Sequence, residues 1–426
     1  MRSRHWLTIL LILGVTLTTV TATAIAGSPI GSSVNISNQS VDAVYGSVAY
    51  NPDWQEYLVV WYNDRPGNDD IQAQRVSKDG NLVGSSFFIS AGTGADRRYP
   101  SVAYNSKEQE YLVVWEHYDQ STGSYSIRGR RVSPSGGMIS GEFTIFDPSP
   151  DLALEPAVAY AYTENKYLIV WTWVQATGTH IAGKTLTVSG GSASLGSTFL
   201  ISEDTTGTEP RTQPDLAYNR ARNEFLVVWR EEFSSSDHDI YAQRVKMAGG
   251  EGLLGNPLVI WSSGSSDDEN PAVAAIPKPS GTGQYLVVWE LRTSSSGGDI
   301  WGAMVTGDGQ AVTPLIIATS TKDLYDPAVA GSESGEDYLV VWSHSDYYPG
   351  WAFIPIVGQE ISMGGDLVGE EKALFGSFAG HPAIASGPLA DFLVVFDDKP
   401  LTATNRDIYG QLWGNRLYIP LTLRNK

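Results

Sequence analysis

Side chains with the reach to bind or catalyse recur at two fixed points of a repeating pattern. The first set stands just ahead of a short run of small residues: Tyr45, Tyr99, Glu155, Gln213, Asn270, Asp326 and His381. In six of the seven copies the next residue is proline, as in Tyr99-Pro100 and His381-Pro382, whereas Tyr45 is followed by Gly46. Proline presets φ and lacks a donor, which a strand start tolerates. The residue before it is free to vary and is mostly polar. The second set follows an aromatic that closes the next strand: Glu116, Trp173, Arg230, Glu290 and His344, with Asp397 in the last copy. Single charges on loops are usually solvated rim. Converging on one axis, the two sets would instead form an acidic, partly aromatic mouth suited to a sugar, a peptide or a cation. A carboxylate pair such as Glu155 and Asp326 would also meet the needs of glycoside cleavage, so a polysaccharide hydrolase or lyase using carboxylates at the same mouth is an alternative.

Other chemistry is absent. The chain has no GxSxG nucleophile elbow, no HExxH zinc helix and no phosphate-cradling loop. It has no cysteine, hence no disulfide and no thiolate. Its six histidines are dispersed. No catalytic residue is assigned, and binding is favoured over catalysis without excluding an enzyme.

The elements that must position these residues come from a repeat. Tyr-Leu-Val-Val-Trp and its variants end at Trp61, Trp115, Trp171, Trp229, Trp289, Trp342 and Phe396, spaced 53 to 60 residues apart. Such self-similarity decides the fold before any local reading. Each copy reads as strands. Ser47-Val48-Ala49-Tyr50 is small enough for a crowded inner position. Tyr57 to Trp61 is apolar throughout, so both of its faces must be covered. Asp70-Ile71-Gln72-Ala73-Gln74-Arg75-Val76 alternates, which places it further out and partly wet. Phe87-Phe88-Ile89-Ser90 is a fourth strand after a Gly-containing turn. The Asp that opens the third strand, at Asp70, Asp239, Asp299 and Asp407, suits a structural role, accepting loop N–H groups. The expected fold is all-β: a seven-bladed β-propeller with four antiparallel strands per blade. The last copy lacks a fourth strand of its own. Val34-Asn35-Ile36-Ser37 matches that strand's signature and is expected to complete the last blade, closing the ring by the N-terminal strand.

The paired elements YLVVW and DIYAQRV resemble repeats of large secreted and surface proteins of bacteria, written roughly VVTW…DIYAQRY…G. The resemblance covers residues 46 to 413. It implies a propeller-like fold and no established activity. Copy six departs from it, with Pro355-Ile356-Val357-Gly358-Gln359-Glu360 as third strand, and copy seven has Phe396 for Trp. The inner-strand Tyr gives way to Ala275, Gly331 and Ser386 in copies five to seven.

The ends and the charge bound the setting. Arg2 and Arg4, an apolar run from Trp6 to Val20 and Ala24-Ile25-Ala26 read as a signal peptide over residues 1–26, cleaved before Gly27. Residues 27–413 are then the propeller and 414–426 a C-terminal tail, whose Tyr418-Ile419-Pro420-Leu421 is similar to short tails of exported bacterial proteins. The net charge of −19 argues against nucleic acid and anionic membrane surfaces. It suits a secreted or cell-surface monomer with an extracellular glycan or protein as partner and no membrane insertion after cleavage. No organic cofactor is implied; calcium is the one cofactor that the acidic charge invites. A structural or adhesive surface module without a small ligand is the remaining alternative.

Overall fold

The computed structural model describes residues 27–202, 209–247, 252–264, 266–276, 283–293, 297–311, 314–333, 337–348, 351–353, 355–374, 378–388, 392–400 and 403–414. The expected signal peptide and nearly all of the C-terminal tail lie outside the described residues. Among those described, no helix is long and apolar enough to cross a membrane.

The first repeat shows how residue types become a sheet. Its inner strand Asp42–Asn51, second strand Glu56–Asp64, third strand Asp70–Ser77 and outer strand Leu82–Ser90 pair antiparallel in sequence order. The inner hairpin turns on Asn51, whose Oδ1 accepts the backbone N–H groups of Asp53 and Trp54. The second strand is buried on both faces, because a sheet lies against each. Leu58 and Val60 pack with Tyr111, Val113 and Trp115 of the next repeat. Tyr57, Val59 and Trp61 pack the other way, against Leu393, Val395 and Ile408 of the last. Trp61, Trp115, Trp171, Trp229, Trp289 and Trp342 are all fully buried. Truncating any of them to Ala is worth about 3–5 kcal/mol.

The third strand corrects an expectation. Its alternation predicted a partly wet strand, yet Asp70 to Gln74 are all buried. Gln74 is buried because its amide N–H groups find carbonyls. Gln74 Nε2 donates to the carbonyls of Arg75 (2.9 Å) and Val83 (3.1 Å), pinning the outer strand where its register shifts. Gln243 and Gln359 do the same in their repeats. Wetness begins one strand later, where Leu82–Ser90 alternates between exposed and half-buried residues until Ile89. The recurrent Asp takes the structural role expected of it. Asp70 accepts the N–H of Gly92, Asp299 that of Ser320 and Asp407 that of Gln39.

The sheets of successive repeats lie side by side, and each inner strand touches the next, from Asp42–Asn51 round to Gly380–Ser386, which again touches Asp42–Asn51. This arrangement is β-propeller-like. The strand Ser28–Asn35 pairs antiparallel with Asp407–Gly414, with Val34 opposite Gly410 and Asn35 opposite Tyr409. Gln411 Nε2 donates to the Ile30 carbonyl at 2.7 Å, repeating across the chain ends the contact that Gln74 makes locally. The sixth repeat carries an extra hairpin, Asp346–Tyr348 with Trp351–Phe353, between its second and third strands. Gly331, which replaces the inner-strand Tyr there, lies so close to the Ala275 carbonyl that an added Cβ would meet it at 2.8 Å.

Deleting residues 34–37 removes ladder partners of Tyr409 and Gly410. Thermal melting of that variant is expected roughly 10 °C or more below the parent. A variant melting with the parent would show that the pairing of the chain ends carries no stability.

Candidate functional site

Every inner strand is broken at one point. Its register against the second strand shifts between Val44 and Ser47, Arg98 and Ser101, Leu154 and Ala157, Thr212 and Asp215, Glu269 and Ala272, Tyr325 and Ala328, and Gly380 and Ala383. The first residue inside each bulge is Tyr45, Tyr99, Glu155, Gln213, Asn270, Asp326 and His381 in turn, followed by Gly46 or a proline. All seven have φ between 47° and 56°. A left-handed backbone is uncommon for side chains of this size and costs on the order of 1–3 kcal/mol each. A bulge re-aims the side chain it carries. Here the seven side chains line one cavity of about 460 Å³. The first sequence-expected set is therefore brought together in full.

Neighbouring members are linked around the rim. Glu155 Oε2 accepts the Gln213 N–H at 2.8 Å and the Thr172 hydroxyl at 2.8 Å. Gln213 Oε1 accepts the Asn270 N–H at 2.9 Å. The Asn270 amide donates to Asp326 Oδ1 at 3.2 Å and to Glu290 Oε2 at 3.3 Å. Asp326 Oδ2 lies 3.9 Å from His381 Nε2. The His381 ring sits 3.8 Å, centroid to centroid, from Tyr45, which meets Tyr99 edge-on at 5.0 Å. One arc of the mouth is thus aromatic, and the other is built of carboxylates and amides.

Burial tunes the titratable groups. Glu116 accepts the Glu155 N–H at 3.3 Å; burial, with the Glu155 charge adding to it, raises its pKa to about 7. Burial likewise raises Glu290 to about 7, against the lowering influence of the adjoining Arg292. Asp326 is raised, chiefly by burial. Burial works against the charged form of His381. The 2.7 Å bond to Asp397 and the charges of Asp397 and Asp326 outweigh it, and the imidazole pKa rises. Asp397 is further held by Arg406 at 2.6 Å. Tyr45 is pushed up to about 12 by burial.

The second sequence-expected set divides by parity. Glu116 and Glu290 bond to members of the ring, as described. Arg230 stands at the same strand position but is held by Glu269 at 2.8 Å. Trp173 and His344 stand one residue further along and turn to the opposite face of the strand. Trp173 packs edge-on against Phe146 at 5.0 Å, inside the apolar cluster between sheets, and is not part of the cavity. His344 is half-buried; its backbone N–H donates to the Pro355 carbonyl at 3.0 Å, and it too is absent from the cavity lining. The residues missed are those directly after the aromatic: Thr172, which holds Glu155, and Tyr62, stacked on Tyr45 at 5.7 Å. Strict counting of one residue past Trp61 and Trp171 would have found both.

No family model matches the chain, and no curated protein matches it. Among solved structures it is similar to a protein of unknown function from Dyadobacter fermentans DSM 18053, at 12% identity over 92% of this chain and 100% of the other, with a TM-score of 0.52. It is also similar to a fungal alcohol oxidase of the AA5 family in complex with copper, at 10% identity over 92% of this chain and 76% of the other, with a TM-score of 0.55. At these identities the likeness is one of fold alone.

The raised Glu116 pKa has a consequence for stability. A carboxyl with a higher pKa folded than unfolded keeps its proton in the native state. Its contribution is present below pH 4.5 and is lost as pH rises towards 7. The urea midpoint should therefore fall between pH 5 and pH 8. Glu116→Gln should remove on the order of 2 kcal/mol of that fall. An unchanged pH slope in Glu116→Gln would place the ionisation elsewhere.

Proposed function

We propose that this chain is a secreted seven-bladed β-propeller, closed by its N-terminal strand, that binds an extracellular glycan through the ring-lined mouth. The observation that carries the reading is the sevenfold left-handed bulge. An unfavourable backbone repeated at every copy, with a different side chain at each, aims variable groups at one cavity. The Tyr45–Tyr99–His381 arc offers flat aromatic faces for the C–H face of a sugar. Glu155, Gln213, Asn270 and Asp326 offer acceptors and amide donors for hydroxyl groups. Closure by Ser28–Asn35 gives the rigid frame such a site needs. The protein works outside the cell as a monomer, with the signal peptide removed.

A second reading has one specific observation behind it. Glu116, with a pKa of about 7, touches the backbone of Glu155, whose carboxylate faces the same mouth. A carboxyl that holds its proton close to neutral pH, next to a second carboxyl, is what acid–base cleavage of a glycosidic bond calls for. In that case the protein is a polysaccharide hydrolase.

A glycan array combined with a polysaccharide-degradation screen tests both. Binding without turnover, weakened at least ~10-fold in Tyr99→Ala and Glu155→Gln, is the expected result. Turnover that is lost in Glu116→Gln and Glu155→Gln establishes the hydrolase instead. Neither binding nor turnover with any glycan overturns both readings.

A further inference from the structure

At the boundary between the first and second repeats the buried charges balance. Asp69 and Asp70 enter the third strand of one repeat, and Arg97 and Arg98 meet them from the next inner strand. Arg98 pairs with Asp69, and Arg97 lies 3.8 Å from Asp70. The same positions at the boundary between the fourth and fifth repeats hold His238, Asp239, Asp268 and Glu269. The guanidinium of Arg97 is thus exchanged for the carboxylate of Asp268, while the acid it would meet, Asp239, is retained.

The local geometry puts these two acids together. His238 and Asp267 form a parallel bridge between the adjoining strands, and their side chains are in contact. Successive residues of a strand alternate faces, so Asp239 and Asp268 turn together to the other face. They are 5% and 0% exposed. Asp268 Oδ2 accepts a 2.6 Å bond from the Ser266 hydroxyl. Asp268 Oδ1 and Asp239 Oδ1 are buried with no hydrogen-bond partner. Among the described residues no Lys or Arg forms an ion pair with either acid. Ser262 and Ser263 supply hydrogen bonds to Asp239, and Ser266 and Trp289 to Asp268, but none of these donors carries a charge. A buried carboxylate without a counter-charge costs several kcal/mol unless a proton or a cation neutralises it. Burial foremost, with the Asp239 charge adding, raises the Asp268 pKa to about 7.

We propose that a calcium ion bound between Asp239 and Asp268 supplies the charge that Arg97 supplies at the first boundary. The donors on offer are oxygens: Asp239 Oδ1 and Asp268 Oδ1, with the hydroxyls of Ser263 and Ser266, themselves in contact, beside them. An oxygen set selects a hard cation over zinc or copper. A cleft of about 460 Å³ lined by Asp237, Gly264, Asp267 and Arg292 opens next to the chain that carries Ser263 and Asp268. The surrounding Glu232, Asp237, Asp267 and Glu269 concentrate cations there, with Arg230 committed to Glu269 and Arg292 paired with Glu290.

The test is thermal unfolding of the full chain stripped with EGTA and then supplied with about 1 mM calcium. Calcium is expected to raise the melting temperature by ~3 °C or more. Asp268→Asn should abolish that rise. Asp268→Arg, which copies the first boundary, should melt at the same temperature with calcium and with EGTA. Equal melting of the parent in calcium and EGTA overturns the proposal, and so does a calcium response that persists in Asp268→Asn. Should the Asp268 variants fail to fold, calcium titration calorimetry of the parent decides: a binding isotherm supports the site only if Asp239→Asn weakens it, and absence of binding heat overturns it. None of these outcomes depends on what the mouth binds.

Discussion

A strand that is apolar on both faces has to be covered twice, and the rest of this structure follows from that requirement. Tyr57 to Trp61 and its counterparts cannot lie in a sheet with one wet face. Each needs a sheet in front and a sheet behind, so the repeats stack face to face in succession. Such a stack leaves its first and last members half-covered unless they meet. The packing of Tyr57, Val59 and Trp61 on Leu393, Val395 and Ile408 is that meeting. Ser28–Asn35 adds backbone pairing to the same junction.

The stacking also explains why the candidate site is where it is. Side-by-side sheets bring the inner strands together at one end, where the bulges turn one side chain per repeat into a shared cavity. The core tolerates almost no variation at the second strand, because each position touches a neighbouring sheet. The bulge residues touch mainly one another and the mouth. They range from Tyr to Asp to His on backbones that differ by less than 10° in φ. A rigid frame with one variable position per repeat separates stability from recognition: the frame fixes the direction of each side chain, and the residue type sets what it meets.

Charge is handled boundary by boundary. The Arg98–Asp69 pair at the first boundary and the Arg211–Glu231 pair (3.0 Å) in the fourth repeat show buried acids each given a guanidinium. Glu110 is held in the same way by Arg131 at 2.6 Å. Against that background, Asp239 and Asp268 are two neighbouring buried acids that no guanidinium or ammonium group pairs with among the described residues.

Much of this was legible in the residues themselves. The spacing of Trp61 through Phe396 determined the repeat, because a period survives any local misreading. Continuous apolar runs determined two-sided burial, and the pre-proline residues marked the ring. Parity and satisfaction were decided only in three dimensions. Trp173 and His344 fall outside the mouth because one step along a strand reverses the face, and which face looks inward is set by the sheet's neighbours. The third strand is buried despite its glutamines because Gln74 finds carbonyls on the outer strand, nine residues away. The left-handed bulge that aims the ring has no local signature in Tyr, Glu or His, since it is imposed by pairing against the second strand. The meeting of Asp239 with Asp268 likewise depends on two repeats being pressed together, which no single repeat can show.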